Sequence, residues 1–148
     1  MRTINLIIIH CSATEEGKEY SVEDITNWHQ ARGFRTIGYH FLIHSDGSID
    51  GKAEGCRSIM EIGAHAKGSN RRSIGICYIG GLRYGKPADT RTAAQINAMR
   101  CLVKAIQSIS SSAVVGHRDL SADLNGDGVI QKQEWMKACP SFNVEKEL

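Results

Sequence analysis

The chain carries six histidines (His10, His29, His40, His44, His65 and His117) and five cysteines (Cys11, Cys56, Cys77, Cys101 and Cys139). Neutral imidazole and thiolate are strong zinc ligands, and three protein ligands leave a fourth position for water or substrate. Spacing sorts the candidates. His40 and His44 form an HxxxH pair, which grips one ion when it lies on a helix. Here Tyr39 to His44 alternates as a strand, and four residues of strand span roughly 13 Å. Two ligands each about 2 Å from one zinc cannot bridge that gap. One of these rings is expected to line a groove and the other to be structural. His10 and His117 each close an apolar run, at the rim where functional side chains gather in open α/β sheets. Cys139 sits in KACPSF, with Lys137 close enough in sequence to favour a thiolate. Taken singly, a histidine at a strand end reads first as an ordinary hydrogen-bonded rim residue.

A second constellation is DLNGDGVIQKQEW, Asp123 to Trp135. Asp123, Asn125 and Asp127 fall at positions one, three and five of an EF-hand loop. Gly128 supplies the sharp turn, the Val129 carbonyl and Gln131 follow, and Glu134 ends the loop as the bidentate carboxylate. Leu120 to Ala122 is too short for an entering helix, so only an exiting helix over about Lys132 to Ala138 is expected. A single unpaired loop argues for a structural calcium site and against a sensor, because sensors open a pair of packed helices. The other reading is a polar turn that merely fits the pattern.

The elements that must position these residues follow from periodicity. Ile4 to Ile9 reads as a buried strand ending at His10, and Ser73 to Ile79 as a second buried strand. Ser21 and Asp24 cap a helix to Arg32 with Val22, Ile25, Trp28 and His29 as its inner stripe. Tyr39, Phe41 and Ile43 share one face of a strand that turns at Ser45-Asp46-Gly47-Ser48. Thr92 and Gln95 cap a long helix to about Ser108 with Ile96, Met99, Val103 and Ile106 inward, and Ala113 to Val115 is a short strand delivering His117. Interleaved strands and helices argue for an α/β fold: a single domain over residues 1–148 with a central sheet.

Bulk properties narrow the function. A length of 148 residues suits one domain. Apolar content of 41% and charged content of 23% are ordinary for a globular chain. A net charge of +2 with no basic run predicts no nucleic-acid partner. No apolar run approaches a membrane span, and MRTINLIIIH lacks the core and cleavage site of a signal peptide. The expectation is synthesis in the cytoplasm, with any action outside following release by other means. An odd number of cysteines without an export signal argues against a disulfide framework, and Cys77 and Cys101 read as buried small hydrophobes. A monomer is the default.

Five segments resemble one family: HCSAT (10–14), GYHFLIHSDGSI (38–49), AHAKGSNRRSIGICYIGG (64–81), GHRD (116–119) and KACPSF (137–142). They resemble the zinc-dependent N-acetylmuramoyl-L-alanine amidases of type 2, which include phage endolysins and animal peptidoglycan recognition proteins. The resemblance covers about residues 5 to 143 and implies a central mixed β-sheet flanked by helices, with a substrate groove over one edge. It implies zinc held by His10, His117 and Cys139, with Tyr39 and Lys137 as the catalytic pair. It implies peptidoglycan as substrate, cut between the lactyl group of N-acetylmuramic acid and L-alanine. It also places His65, Lys67 and Asn70 beside the groove, as muropeptide contacts or as residues that only shape a turn. The implied biology is a cell-wall enzyme acting after release, by phage lysis or dedicated delivery. One departure stands out: 22 positions separate His117 from Cys139, longer than the family leads one to expect, and the calcium-type loop at 123–134 fills that insertion. A bound cation there would brace Lys137 and Cys139. The competing readings are a non-catalytic peptidoglycan-binding module, which a missing third ligand would favour, and a calcium-regulated interaction protein, which predicts no zinc.

Overall fold

The run LIIIHC makes β1 (Leu6–Cys11), and every one of its residues is buried. The computed structural model describes residues 2–148. After β1 come β2 (Thr14–Glu15), α1 (Val22–Ala31), β3 (Phe41–Ile43), β4 (Ile49–Asp50), β5 (Ser73–Tyr78), β6 (Gly81–Arg83), β7 (Lys86–Pro87), α2 (Ala93–Gln107), β8 (Ala113–Gly116) and α3 (Val144–Glu147). Five strands form the main sheet in the order β4-β3-β5-β1-β8. β3, β5, β1 and β8 are parallel and β4 is antiparallel, so the sheet is mixed, as expected. β1 is bonded to β5 on one edge and β8 on the other and is covered on both faces, which is why its sequence is an unbroken β-branched run. β2, β6 and β7 make a small second sheet.

The two-residue period of the strands divides the core. Ile7, Ile9 and Cys11 join Ile74, Ile76 and Tyr78 against Met99, Val103 and Ile106 of α2. On the other face, Leu42, Cys77 and Ile79 pack on Val22 and Ile25 of α1, and Leu6 and Ile8 pack on Ala66. His10 lies in register with Cys77 and alternates with Ile9 and Cys11, so it projects from the α1 face. Both capping boxes form: Ser21 Oγ accepts from Asp24 N at 3.1 Å, and Thr92 Oγ1 accepts from Gln95 N at 3.0 Å. Gln95 is itself buried, and its amide donates to the Ile43 and Ile79 carbonyls, tying α2 to the sheet.

Several expectations are corrected. β1 continues through His10 and Cys11. β3 begins only at Phe41, and the irregular backbone before it lets Tyr39 pack with the Leu42 cluster on the α1 face, away from Phe41 and Ile43. Trp28 is 40% exposed and leans on Tyr20 at the helix edge; the buried stripe of α1 is Val22, Ile25 and His29. Cys101 is exposed, because two residues beyond the inward Met99 a helix faces the other way. No helix exits the 123–134 loop. Lys132–Glu134 make one 3-10 turn, after which the Met136 amide donates to Ser121 Oγ at 3.0 Å and draws the chain back. Among the described residues no helix is long and apolar enough to cross a membrane.

Candidate active site

β1 and β8 are neighbours, so their C-terminal ends carry His10 and His117 to the same rim. His117 opens a 3-10 turn, His117–Leu120, which Asp119 closes by accepting from Gly116 N at 2.7 Å. A Cβ on Gly116 would stand 2.8 Å from Pro140 Cδ, so glycine here lets the 139–141 segment lie against the strand end. That segment is pinned from three sides. Arg118 N donates to the Cys139 carbonyl at 2.8 Å, Cys11 N to Cys139 Sγ at 3.3 Å, and Tyr78 Oη to the Pro140 carbonyl at 2.6 Å. The ligand atoms of His10, His117 and Cys139 consequently lie within 4.8 Å of one another. His10 Nδ1 is 3.8 Å from Cys139 Sγ. Ligands about 2.0–2.3 Å from a tetrahedral zinc stand roughly 3.3–3.8 Å apart; this donor set suits that ion in chemistry, and the 3.8 Å between His10 Nδ1 and Cys139 Sγ suits it in size.

Electrostatics suit a cation. Burial, then the charges of His65, His117 and Lys137, hold His10 well below the ordinary imidazole range. Burial and Lys137 lower His117 to about 4. Both rings are therefore neutral at physiological pH, with a lone pair to offer. The neighbouring Cys11 thiol, together with burial, pushes the Cys139 thiol up, so a bound cation must displace its proton.

The catalytic candidates surround this cluster. The Tyr39 ring packs at a tilt 5.1 Å from that of His10 and edge-on 5.2 Å from that of His29, centroid to centroid. Burial, with the Cys77, Cys139 and Cys11 thiols, pushes the Tyr39 phenol well up, so it stays protonated and can donate. Lys137 is exposed and acts electrostatically on both His10 and His117. A model of the family described as N-acetylmuramoyl-L-alanine amidase matches residues 1–141. The chain belongs to that family. It is 34% identical over 146 residues to the endolysin of Enterobacteria phage T3, covering 97% of this chain and 85% of the relative. It is 31% identical over 152 residues to a peptidoglycan recognition protein of Bombyx mori, covering 95% of this chain and 76% of the relative. Among solved structures, the N-acetylmuramoyl-L-alanine amidase LysC from Clostridium intestinale superposes with a TM-score of 0.73 at 23% identity, covering 99% of this chain and 83% of that one, a likeness of fold.

The remaining residues of this amidase-family chain sort as follows. His40 is fully buried and structural: its Nδ1 accepts from Gly75 N at 3.0 Å and its Nε2–H donates to the Glu61 carbonyl at 2.9 Å. His44 lies outside the cluster, between Glu19 and Asp50. In the 64–70 loop, Asn70 Oδ1 accepts from both His65 N and Ala66 N at 2.9 Å, which shapes the turn, and Lys67 is exposed. His65 is turned inward, its Nδ1 2.9 Å from His10 Nε2. Sequence reasoning missed that contact; it placed His29 on the inner stripe of α1, where it is, but not its partners: His29 Nδ1 accepts from Gly38 N at 2.9 Å while its ring packs on Tyr39. It also missed Arg118, whose guanidinium stacks 3.8 Å over the Trp135 ring. The insertion is exposed from Ala122 to Val129. Its carboxylates fold onto their own loop: Asp123 accepts from Gly126 N and Gly128 N, Asp127 from Val129 N, and Glu134 from Leu124 N and Gln131 N. Among the described residues they do not converge as His10, His117 and Cys139 do.

Proposed function

We propose that this chain is a zinc-dependent N-acetylmuramoyl-L-alanine amidase, a peptidoglycan hydrolase that cuts the amide between the lactyl group of N-acetylmuramic acid and L-alanine of the stem peptide. The observation that carries this is the convergence of two neutral imidazoles and one sulfur within 4.8 Å on a chain of this family. His10, His117 and Cys139 would hold the metal. Bound there, zinc would polarise the scissile carbonyl and lower the pKa of a water toward about 7. The chain's own residues do the rest. Lys137 offers a positive charge to the carbonyl oxygen as negative charge grows on it, and Tyr39, a protonated phenol, donates a hydrogen bond or hands a proton toward the leaving amine. The 64–70 loop with Lys67 borders the groove that takes the muropeptide. A non-catalytic binding module is disfavoured because Cys139, Tyr39 and Lys137 are all retained.

The reading extends to biology and to the insertion. The chain is proposed to act as a monomer on the cell wall after release from the cytoplasm; its similarity to phage proteins named endolysin supports the action on the wall. We also propose that Asp123, Asn125, Asp127, Val129, Gln131 and Glu134 bind calcium structurally, a reading that rests on the match to EF-hand spacing.

Digestion of purified peptidoglycan tests the activity. New L-alanine amino termini are expected, and Lys137→Met and Tyr39→Phe should each lower kcat by roughly 100-fold or more, the scale of losing one charge-stabilising or proton-relaying group. Release of reducing sugars without L-alanine termini would assign a different bond.

A further inference from the structure

His10 presents Nδ1 to Cys139 Sγ, at 3.8 Å, and turns Nε2 the other way, to His65 Nδ1 at 2.9 Å. If Nδ1 is the ligand atom it carries a lone pair, and the His10 proton must sit on Nε2. That proton then points at His65 Nδ1, which must accept. His65 in turn carries its proton on Nε2, which lies 3.4 Å from Ser73 Oγ. One choice of ligand atom thus fixes both tautomers along the chain His10–His65–Ser73. The His65 ring is closely packed. A Cβ on Gly75 would stand 2.7 Å from the ring and one on Gly63 would stand 2.6 Å from it, so two glycines far apart in sequence form its slot. The backbone N–H of His65 is tied to Asn70 Oδ1 at 2.9 Å.

We infer that His65 is a positioning residue for the metal centre: it holds His10 in the Nε2–H tautomer and aims Nδ1 at the cation, with Ser73 anchoring its far side. Ligating histidines are usually oriented through their second nitrogen by a carboxylate, a backbone carbonyl or water, and loss of such a partner typically weakens metal binding about 10–100-fold. Here a neutral ring takes that place. The assignment rests on the zinc reading above and gives His65 a task distinct from touching substrate.

The test compares zinc affinity, by chelator competition, and the visible spectrum of the cobalt-loaded protein for wild type, His65→Leu and His65→Asn. The asparagine Oδ1 can replace Nδ1 as acceptor; leucine cannot. His65→Leu should bind zinc about 10–100-fold more weakly with a shifted cobalt spectrum, and His65→Asn should stay within about threefold of wild type. A folded His65→Leu protein with wild-type affinity and spectrum overturns the inference, as does His65→Asn falling as far as His65→Leu. Should His65→Leu not fold, ring 15N–1H correlation spectra of the zinc-loaded wild type decide. The Nε2–H tautomer at both His10 and His65 supports the assignment, and an Nδ1–H tautomer at His65 overturns it. A wild-type chain that binds neither zinc nor cobalt removes the metal reading and this inference together; a wild-type chain that binds zinc beside an unchanged His65→Leu removes only the inference.

Discussion

His10, His40, His44 and His65 carry the same imidazole, and their neighbours decide what each can do. His40 has both nitrogens engaged by backbone, and His44 has both engaged by carboxylates, so neither is free for a metal. His10 spends one nitrogen on His65 and keeps the other for the cluster. The convergence of His10, His117 and Cys139 was legible because strand ends and the motifs GHRD and KACPSF are local signals. The His10–His65 pair was not, because it depends on Gly63 and Gly75 leaving room above the sheet, which only the folded register reveals. His44 carries a pH prediction. Its ring nitrogens lie 2.7 Å from Glu19 and from Asp50. Burial opposes a charge there, but hydrogen bonds and charge from Asp50 and Glu19 outweigh it, raising the pKa above the ordinary 6.5. A folded pKa above the unfolded one gives stabilisation that is complete below about pH 6.5 and is lost as pH rises through the raised value. Because Glu19 is half exposed, screening holds the effect to about 0.5–1 kcal/mol. Urea denaturation should show His44→Gln less stable than wild type at pH 5.5 and equal to it at pH 9; an equal loss at both would refute the ionic origin.

Among the elements, β1 and α2 were readable because long apolar runs and capping boxes are strong one-dimensional signals, and both appear within a few residues of expectation. Tyr39 was assigned to the wrong face because strict alternation was extended back past Phe41 into irregular chain. That displacement matters: it turns Tyr39 to the α1 face, where His10 projects and α1 supplies His29 behind it. β5 makes a matching contribution through Gly75, opposite Ile8 in register. Its missing side chain is the space the His65 ring fills. Gly75→Ala is therefore expected to push His65 off His10, costing about 1–3 kcal/mol of stability from overpacking and weakening zinc binding by about tenfold or more. Thermal melts and chelator competition check the pair of effects. Lower stability with unchanged zinc affinity would show that His65 moves without consequence for the metal.

At the scale of the whole molecule, the sheet, helices and rim came through the sequence, while the shape of the 120–138 insertion did not. Its expected exiting helix shrinks to one 3-10 turn, and both ends are tied down, at Ser121–Met136 and at Arg118–Cys139. With Cys139 so anchored, calcium would mainly order the loop and Lys137 beside it. Calorimetry should detect calcium binding to wild type but not to Asp123→Ala or Glu134→Ala, with a several-fold drop in calcium-supplemented activity for both variants; activity of zinc-loaded protein indifferent to both changes would remove the bracing role. The central claim is that His10, His117 and Cys139 share one zinc that hydrolysis requires. The most direct measurement is the metal content of purified protein alongside its release of L-alanine amino termini from peptidoglycan, before and after chelation. The account predicts one zinc per chain, activity abolished by chelator and restored by zinc, and neither zinc nor activity in Cys139→Ala. Full release of L-alanine termini by metal-free protein, or by Cys139→Ala, would contradict it.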